Sequence, residues 1–327
     1  MPSTIQLNQG DPISGEISLS VPAISAASLI ENPESCATEI RDFCLKHGFF
    51  YVDIEPSLQN TLNATLFQMD RFFSLADNHH LKQNALQDER GFGWVPRYSE
   101  PAYQPGTLSR LEAFDYCQEH LSDDGSSCWP TLPDFRANLV KCWNEYADLG
   151  DAILLAISSA IFEDSRFLLQ HCDSREHNTM RLLHYAAIDE NKKANEVGIA
   201  AHTDFETITL LYQTAPGLEL LNAKGHWLDA PASPGRLVVL IGDMVERWTN
   251  GQIHASGHRV RTTDEKRHSI VMFMAANDGI EVAPLPEFTG ASQPPRYEAV
   301  TQLGHIENEL QRSQSNAAIE ANRREDA

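Results

Sequence analysis

Apolar residues recur at helical spacing through much of the first half of the chain. The segment 37–46, A-T-E-I-R-D-F-C-L-K, has this periodicity and precedes the strand-like residues 49–52. A second helix is predicted over 58–75. Residues 134–172 are rich in helix formers and predict either two helices or one long helix broken near Gly150. The first half is therefore expected to be mainly helical.

The pattern changes after residue 178. Short runs of β-formers follow one another between turn residues: M-R-L-L-H-Y, I-T-L-L-Y, L-E-L-L, R-L-V-V-L-I and S-I-V-M-F-M. Strands without intervening helices favour an antiparallel sandwich or barrel. A last helix is expected over about 298–313, with a frayed polar tail behind it. The prediction is a single domain, 1–327, with a mainly helical N-terminal region over 1–178, a β-core over 179–285 and a terminal helix and tail over 286–327.

The charge balance narrows the range of partners. The 327 residues include 46 acidic and 25 basic ones, which gives a formal net charge of -21. Such a field repels phosphate backbones and anionic headgroups, so neither nucleic acid nor a membrane surface is expected as a partner. A small-molecule substrate is expected instead, and any anionic ligand would need a local cation inside a pocket. Charge does not indicate the oligomeric state.

The cysteines and the N-terminus favour a cytoplasmic protein. Six cysteines lack C-x-x-C pairs and compact metal-site spacing, so reduced thiols are expected; they are Cys36, Cys44, Cys117, Cys128, Cys142 and Cys172. Residues 1–10 have neither a basic start nor an apolar run. The longest apolar stretch, near 153–162, is too short to span a bilayer.

Three residues are candidate metal ligands. His202 and Asp204 stand two positions apart, so on a strand both side chains would project from one face. His258, on a later strand-like run, supplies a second imidazole. Two histidines and one carboxylate on one face of an octahedron leave positions open for iron(II) oxygen chemistry. His254, four residues before His258, is a rival third ligand that spacing does not exclude.

A candidate anion site follows the second histidine. Arg267 and Ser269 would lie on the same face of a strand, and the apolar run 270–274 behind them indicates a buried strand. A buried guanidinium needs an anionic partner, and its planar donor array suits a carboxylate. A dicarboxylate reaching from the metal to Arg267 would meet that need.

Together these residues resemble the isopenicillin N synthase-like iron(II) and 2-oxoglutarate-dependent dioxygenases. The similarity covers most of the chain and consists of an H-x-D, an H-R-V and an R-x-S motif in that order, with a G-F-F strand, a glycine-aromatic loop and a segment like R-x-N-Y-Y-P before them. These are residues 202–204, 258–260, 267–269, 48–50, 91–92 and 181–185. Residues 238–251 are similar to the strand, turn and T-N-G segment that leads to the second histidine.

The resemblance implies a fold and a chemistry. The fold would be mainly β with flanking helices, built on a double-stranded β-helix, or jelly-roll, core. The metal would be Fe(II) on His202, Asp204 and His258, and the co-substrates would be 2-oxoglutarate and O2, with stimulation by ascorbate. Arg267 and Ser269 would bind the distal carboxylate of 2-oxoglutarate, and Tyr185 would help.

The implied function is oxidation of a small organic molecule, by hydroxylation, desaturation or cyclisation, in secondary metabolism. Phe92, Phe205 and Phe273 are candidate substrate contacts, together with Trp94, although core packing explains each equally well. Phe92 belongs to an aromatic, proline-rich segment, 91–105, that is expected to be an ordered pocket loop. The alternatives are an oxidase of the same fold that does not use 2-oxoglutarate and a catalytically silent ligand-binding protein.

Overall fold

The structure, a computed structural model, describes residues 23–100, 103–122, 129–188, 195–222 and 225–325. The expectations for residues 1–10 and for Cys128 lie outside these ranges. The helices are α1 Ala26–Glu31, α2 Ala37–Lys46, α3 Pro56–Phe73, α4 His80–Gln83, α5 Gln118–Ser122, α6 Phe135–Ile161, α7 Phe167–Cys172, α8 Asp243–Trp248 and α9 Gln302–Glu325, with 3-10 turns at Pro33–Cys36 and Pro286–Phe288. In the described ranges, no helix has the length and apolar character needed to cross a membrane.

The strands form two main sheets. They are β1 Ala23–Ser25, β2 Phe49–Asp53, β3 Gly93–Val95, β4 Leu108–Ser109, β5 Leu111–Cys117, β6 Thr179–Tyr185, β7 Glu196–Val197, β8 Ile199–His202, β9 Ile208–Gln213, β10 Leu218–Leu221, β11 Trp227–Asp229, β12 Arg236–Ile241, β13 His258–Val260 and β14 Arg267–Met274. The larger sheet has the order β1-β2-β12-β9-β14-β6-β5-β3, and the smaller has the order β11-β10-β13-β8. The short strands β4 and β7 pair separately.

Strand β14 illustrates how the sequence builds two layers on the larger sheet. Because side chains alternate along a strand, Ile270 and Met272 point to one face and Val271 to the other. The first two join the apolar cluster shared with α2, α3 and α6. Val271 joins a second cluster that includes Leu218 and Leu220 of the smaller sheet. The two sheets therefore pack face to face as the predicted jelly-roll core, and helices cover the outer face of the larger sheet.

Several predicted elements agree with the structure. Helix α2 has the predicted bounds, and the helix predicted over 58–75 is α3, which begins and ends two residues earlier. The strand predicted over 49–52 is β2. The predicted loop 91–105 contains the short strand β3, which pairs with β5.

Of the two alternatives predicted for 134–172, two helices is confirmed by α6 and α7, and a break near Gly150 is wrong. Helix α6 continues through this glycine, and the interruption before α7 falls after Ile161. A Cβ at position 150 would lie 2.7 Å from the terminal methyl of Met274, so the glycine allows β14 to approach the helix. The last helix also differs from its prediction, because α9 begins at Gln302 and extends to Glu325 instead of ending in a frayed tail.

Gly242, the residue directly before α8, helps to hold the segment 204–207 in place. Its N–H donates to the Thr207 carbonyl, and the next N–H, that of Asp243, donates to the Asp204 carbonyl, each at 2.9 Å. A Cβ at position 242 would lie 2.2 Å from the Glu206 carbonyl oxygen, a backbone atom that cannot rotate away. The close approach therefore requires glycine.

We expect Gly242→Ala to lower the free energy of unfolding by about 1–3 kcal/mol, because the extra methyl overpacks the backbone of 204–207. Urea unfolding followed by circular dichroism measures the change. Gly290→Ala is the matched control, since no heavy atom lies within 4 Å of a Cβ built at Gly290. Equal effects of the two substitutions would contradict the steric argument.

Candidate metal centre and co-substrate pocket

The pairing of β8 with β13 brings the two candidate histidines together. His202 and His258 are direct partners across these antiparallel strands, and their ring centroids lie 4.2 Å apart. Asp204 Oδ1 lies 3.8 Å from His202 Nε2 and 3.6 Å from His258 Nε2. One ligand atom from each residue lies within 4.8 Å of the others, a spacing that could hold one metal ion.

The expectation that His202 and Asp204 share one strand needs correction. Strand β8 ends at His202, and Asp204 lies in the turn that follows. The carboxylate is positioned by hydrogen bonding instead, because Thr209 Oγ1 donates to Asp204 Oδ2 at 2.5 Å. Oδ1 is then the oxygen that faces the two imidazoles.

Both imidazoles are held in a ligand-competent orientation. His202 Nδ1 lies 2.8 Å from the Ala200 carbonyl oxygen, and His258 Nδ1 lies 2.9 Å from that of Ser256. A carbonyl only accepts, so each Nδ1 carries the proton and each Nε2 lone pair is available to a metal. Burial, with a contribution from the neighbouring His258, holds the pKa of His202 well below its usual value, which favours the neutral form that a metal requires.

The rival ligand His254 lies away from this cluster. Its side chain is 64% exposed, and its Nδ1 lies 3.7 Å from Glu246 Oε2. Two further histidines also lie in other surroundings: His226 is exposed, and His268 contacts Asp70 at 3.0 Å. His184 packs in parallel on Phe73 with ring centroids 5.3 Å apart.

Arg267 and Ser269 lie in the same cavity as the histidines. Both side chains are buried, and Arg267 is fully inaccessible. Arg267 Nη2 donates to Gln213 Oε1 at 2.8 Å and Nε donates to the Ala215 carbonyl at 3.2 Å. Arg267 Nη1 and Ser269 Oγ have no hydrogen-bond partner among the described residues.

These orphaned donors fit a carboxylate ligand. Within the described ranges, Arg267 has no ion pair with Asp or Glu, so its charge is buried without a counter-ion. Two unsatisfied donors side by side on β14 match the two oxygens of a carboxylate. The candidate anion clamp therefore lies in the same cavity as the candidate metal ligands and offers donors that suit a carboxylate.

Tyr185 lies beside the guanidinium. It pairs with Arg267 across β6 and β14, lines the cavity, and has its ring centroid 4.7 Å from Arg267 Cζ. Burial raises the pKa of Tyr185, so its hydroxyl stays protonated and can donate a hydrogen bond.

The aromatic substrate candidates divide into two groups. Phe205 and Phe273 line the cavity, but Phe92 is not among the lining residues and packs on His120, with ring centroids 4.6 Å apart. Trp94 is buried, and its indole N–H donates to Glu112 at 2.9 Å. The predicted pocket loop therefore contributes a different aromatic residue, Tyr103, whose ring stacks on His202 at 4.5 Å.

Sequence reasoning missed several lining residues. Strand β6 presents Arg181 to the cavity, β5 presents Asp115, and α9 contributes Ile306 and Leu310. Period-two alternation from Tyr185 back to Arg181 could have identified the arginine. Nothing local in the sequence signals the other three, because tertiary packing brings them to the cavity.

Comparisons with known proteins agree with this geometry. The sequence model of the 2OG-Fe(II) oxygenase superfamily matches residues 177–276, which include all three candidate ligands and the anion clamp. Among solved structures, a full-length Neurospora crassa protein in complex with alpha-KG has a TM-score of 0.77 at 22% identity and covers 94% of this chain and 99% of its own. A putative 2OG-Fe(II) oxygenase family protein from Caulobacter crescentus has a TM-score of 0.75 at 26% identity, covering 90% and 99%.

Curated relatives agree over similar lengths. The 2-oxoglutarate-dependent dioxygenase citB of Monascus ruber is 30% identical over 314 residues, which span 84% of this chain and 90% of the relative. The 2-oxoglutarate-Fe(II) type oxidoreductase hxnY of Emericella nidulans is 28% identical over 285 residues, or 80% of each chain. The chain therefore belongs to the 2OG-Fe(II) oxygenase superfamily and is an oxidoreductase of the 2-oxoglutarate-dependent dioxygenase type.

Proposed function

We propose that His202, Asp204 and His258 bind one Fe(II), that Arg267 and Ser269 bind the distal carboxylate of 2-oxoglutarate, and that O2 is the oxidant. The observation that carries the proposal is the fully buried Arg267, which has an unsatisfied Nη1 in the cavity that the three ligands share. The substrate is a small organic molecule, oxidised by hydroxylation, desaturation or cyclisation. Membership of secondary metabolism remains a prediction, as does stimulation by ascorbate.

The protein's contribution is orientation. The Ala200 and Ser256 carbonyls fix the imidazole tautomers, and Thr209 turns Asp204 so that Oδ1 faces the two imidazoles, where the iron would be held. His202, Asp204 and His258 would hold the iron, and a set of two imidazoles and one carboxylate suits iron(II) oxygen chemistry. When bound, iron and 2-oxoglutarate supply the oxidising power, with succinate and carbon dioxide as the products of the co-substrate.

The co-substrate half of the cavity is also built to exclude water. Leu183, Ile199, Leu211 and Val260 line it and are buried, so the carboxylate would meet Arg267 in an apolar setting. Charge-assisted hydrogen bonds are stronger there than in water. Tyr185 would complete this end by packing its ring against the guanidinium.

We further propose that the chain acts as a single domain over 1–327. Two apolar clusters support this, because one joins the helices to the larger sheet and the other joins the two sheets. The partner would be a small molecule, with no role for nucleic acid or a membrane surface.

The function is tested by succinate formation and O2 uptake in the presence of Fe(II), ascorbate and 2-oxoglutarate. We expect both activities in the wild type, their loss together with iron binding in His258→Ala, and their retention in His254→Ala. Oxygen uptake with a substrate but without succinate would instead identify a 2-oxoglutarate-independent oxidase that uses Arg267 for its substrate. Tight iron binding without any O2 uptake would identify a silent binding protein.

Thr209→Val tests the support of the carboxylate ligand. The substitution keeps the shape but removes the donor to Asp204 Oδ2. We expect iron affinity to fall about 10–100-fold, the usual effect of losing such a support. Thr207→Val is the matched control, because the Thr207 hydroxyl contacts Cys172 at 3.4 Å. Competition with a chelator gives both affinities, and an equal loss in the two variants would contradict the assigned role.

Arg267→Met tests the anion clamp. Calorimetric titration of 2-oxoglutarate into the anaerobic iron-loaded protein should show affinity about a hundredfold lower or weaker still, because a buried charged hydrogen-bonding partner is lost. Arg236→Met is the control. Arg236 also lies over a tyrosine ring, with its Cζ 5.7 Å from the ring centroid of Tyr51, but it already forms an ion pair with Asp53. Unchanged binding in Arg267→Met would place the distal carboxylate elsewhere.

A further inference from the structure

The cavity contains a second pair of polar residues, Arg181 and Asp115, on the same sheet face as the anion clamp. Strand register places Tyr185 opposite Arg267, and, four residues along β14, Arg181 opposite Val271. Asp115 of β5 is in turn the partner of Arg181. At about 3.3 Å per residue, the Arg181–Val271 pair lies roughly 13 Å along the strands from the Tyr185–Arg267 pair. Arg181 and its partner Asp115 therefore lie beyond the co-substrate end of the cavity.

The two arginines of the cavity differ in their charge balance. Arg181 makes a two-pronged contact with Glu100, in which Nη1 donates to Oε1 at 3.0 Å and Nη2 donates to Oε2. Its Nε also lies 3.2 Å from Asp115 Oδ1. One cation therefore faces two carboxylates, so the group has no spare positive charge for a substrate anion.

Asp115 has one carboxylate oxygen without a hydrogen bond. Its side chain lines the cavity and only 8% of the residue is accessible. Oδ1 has no hydrogen bond among the described residues, because the nearby Arg181 Nε is not aligned with it. Glu100, by contrast, also accepts a hydrogen bond from the Tyr103 hydroxyl at 3.1 Å. A buried carboxylate oxygen in this state favours a donor from a ligand.

Apolar side chains supply part of the wall of this half, next to the polar Thr179 and Glu206. Phe273 is the next inward residue of β14 after Val271, and α9 contributes Ile306 and Leu310. Gln302 holds the start of α9 by donating to the Phe205 carbonyl at 2.9 Å. A ligand here would place an apolar body against these side chains and a polar group at Asp115.

We propose that Asp115 determines substrate specificity by accepting a hydrogen bond from a nitrogen donor, above all a protonated amine, on a substrate with an apolar body. The assignment rests on the proposed function, in which 2-oxoglutarate occupies the Arg267 end of the cavity and leaves the Asp115 end for the substrate. A substrate carboxylate is disfavoured because the cation near it, Arg181, is already neutralised.

A bound cation would change the charge state of Asp115. Burial raises the pKa of Asp115 to about 7, against the lowering effect of Arg181. A cation bound at Oδ1 would stabilise the ionised carboxylate and gain a charge-assisted hydrogen bond.

The test compares three probes with the same ring: 2-phenylethylamine, 2-phenylethanol and phenylacetate. Each is titrated calorimetrically into the anaerobic protein loaded with Fe(II) and 2-oxoglutarate. We expect the amine to bind at least about tenfold more tightly than phenylacetate, with the alcohol between them. Asp115→Asn should remove most of this preference. The control Asp53→Asn, which alters an exposed strand aspartate paired with Arg236, should preserve it.

Equal or tighter binding of phenylacetate by the wild type, or no binding of the amine, would overturn the proposal even if Asp115→Asn does not fold. A preference that survives in folded Asp115→Asn would also overturn it and leave Asp115 as a structural partner of Arg181. The preceding 2-oxoglutarate titration separates the two proposals. If 2-oxoglutarate binds and the amine preference is absent, only the specificity assignment fails; if 2-oxoglutarate does not bind, the proposed function fails first.

Discussion

The antiparallel pairing of β8 with β13 is the constraint on which the candidate site depends. It sets His202 directly opposite His258, and backbone carbonyls two residues before each histidine orient the rings. Asp204 joins them from the turn after β8, where Thr209 and the backbone before α8 hold it. Main-chain hydrogen bonds of the jelly roll therefore position the two histidines, and one side-chain hydrogen bond orients the carboxylate.

The larger sheet contributes two arginines to the rest of the cavity, one without a counter-ion and one paired with two carboxylates. Arg267 is buried with an unused donor and no carboxylate within the described ranges, whereas Arg181 is held between Glu100 and Asp115. Burying an unpaired cation is costly, so an anionic ligand beside Arg267 would offset the cost of its burial. Beside this balanced arginine, one buried carboxylate oxygen of Asp115 has no hydrogen bond among the described residues. The same sheet face thus favours an anion at one end and a donor at the other.

The candidate site residues could be identified from the sequence because each motif is short. Strand periodicity put Arg267 and Ser269 on one face of β14, as observed, but it did not place Asp204, which lies in the turn after β8. Gly150 was misread because propensity describes an isolated helix, while packing against Met274 decides its use here. Phe92 was misplaced because sequence does not indicate which side of a loop faces the cavity. Asp115 and Ile306 were missed because only strand register and helix docking bring them to the site.

Crystals grown without oxygen in the presence of Fe(II) and 2-oxoglutarate test the central claim most directly, by anomalous diffraction at the iron edge. The account predicts one strong peak in coordination contact with His202 Nε2, Asp204 Oδ1 and His258 Nε2, and density for a carboxylate on Arg267. A peak on other residues, or a His258 ring turned away from the iron, would contradict it.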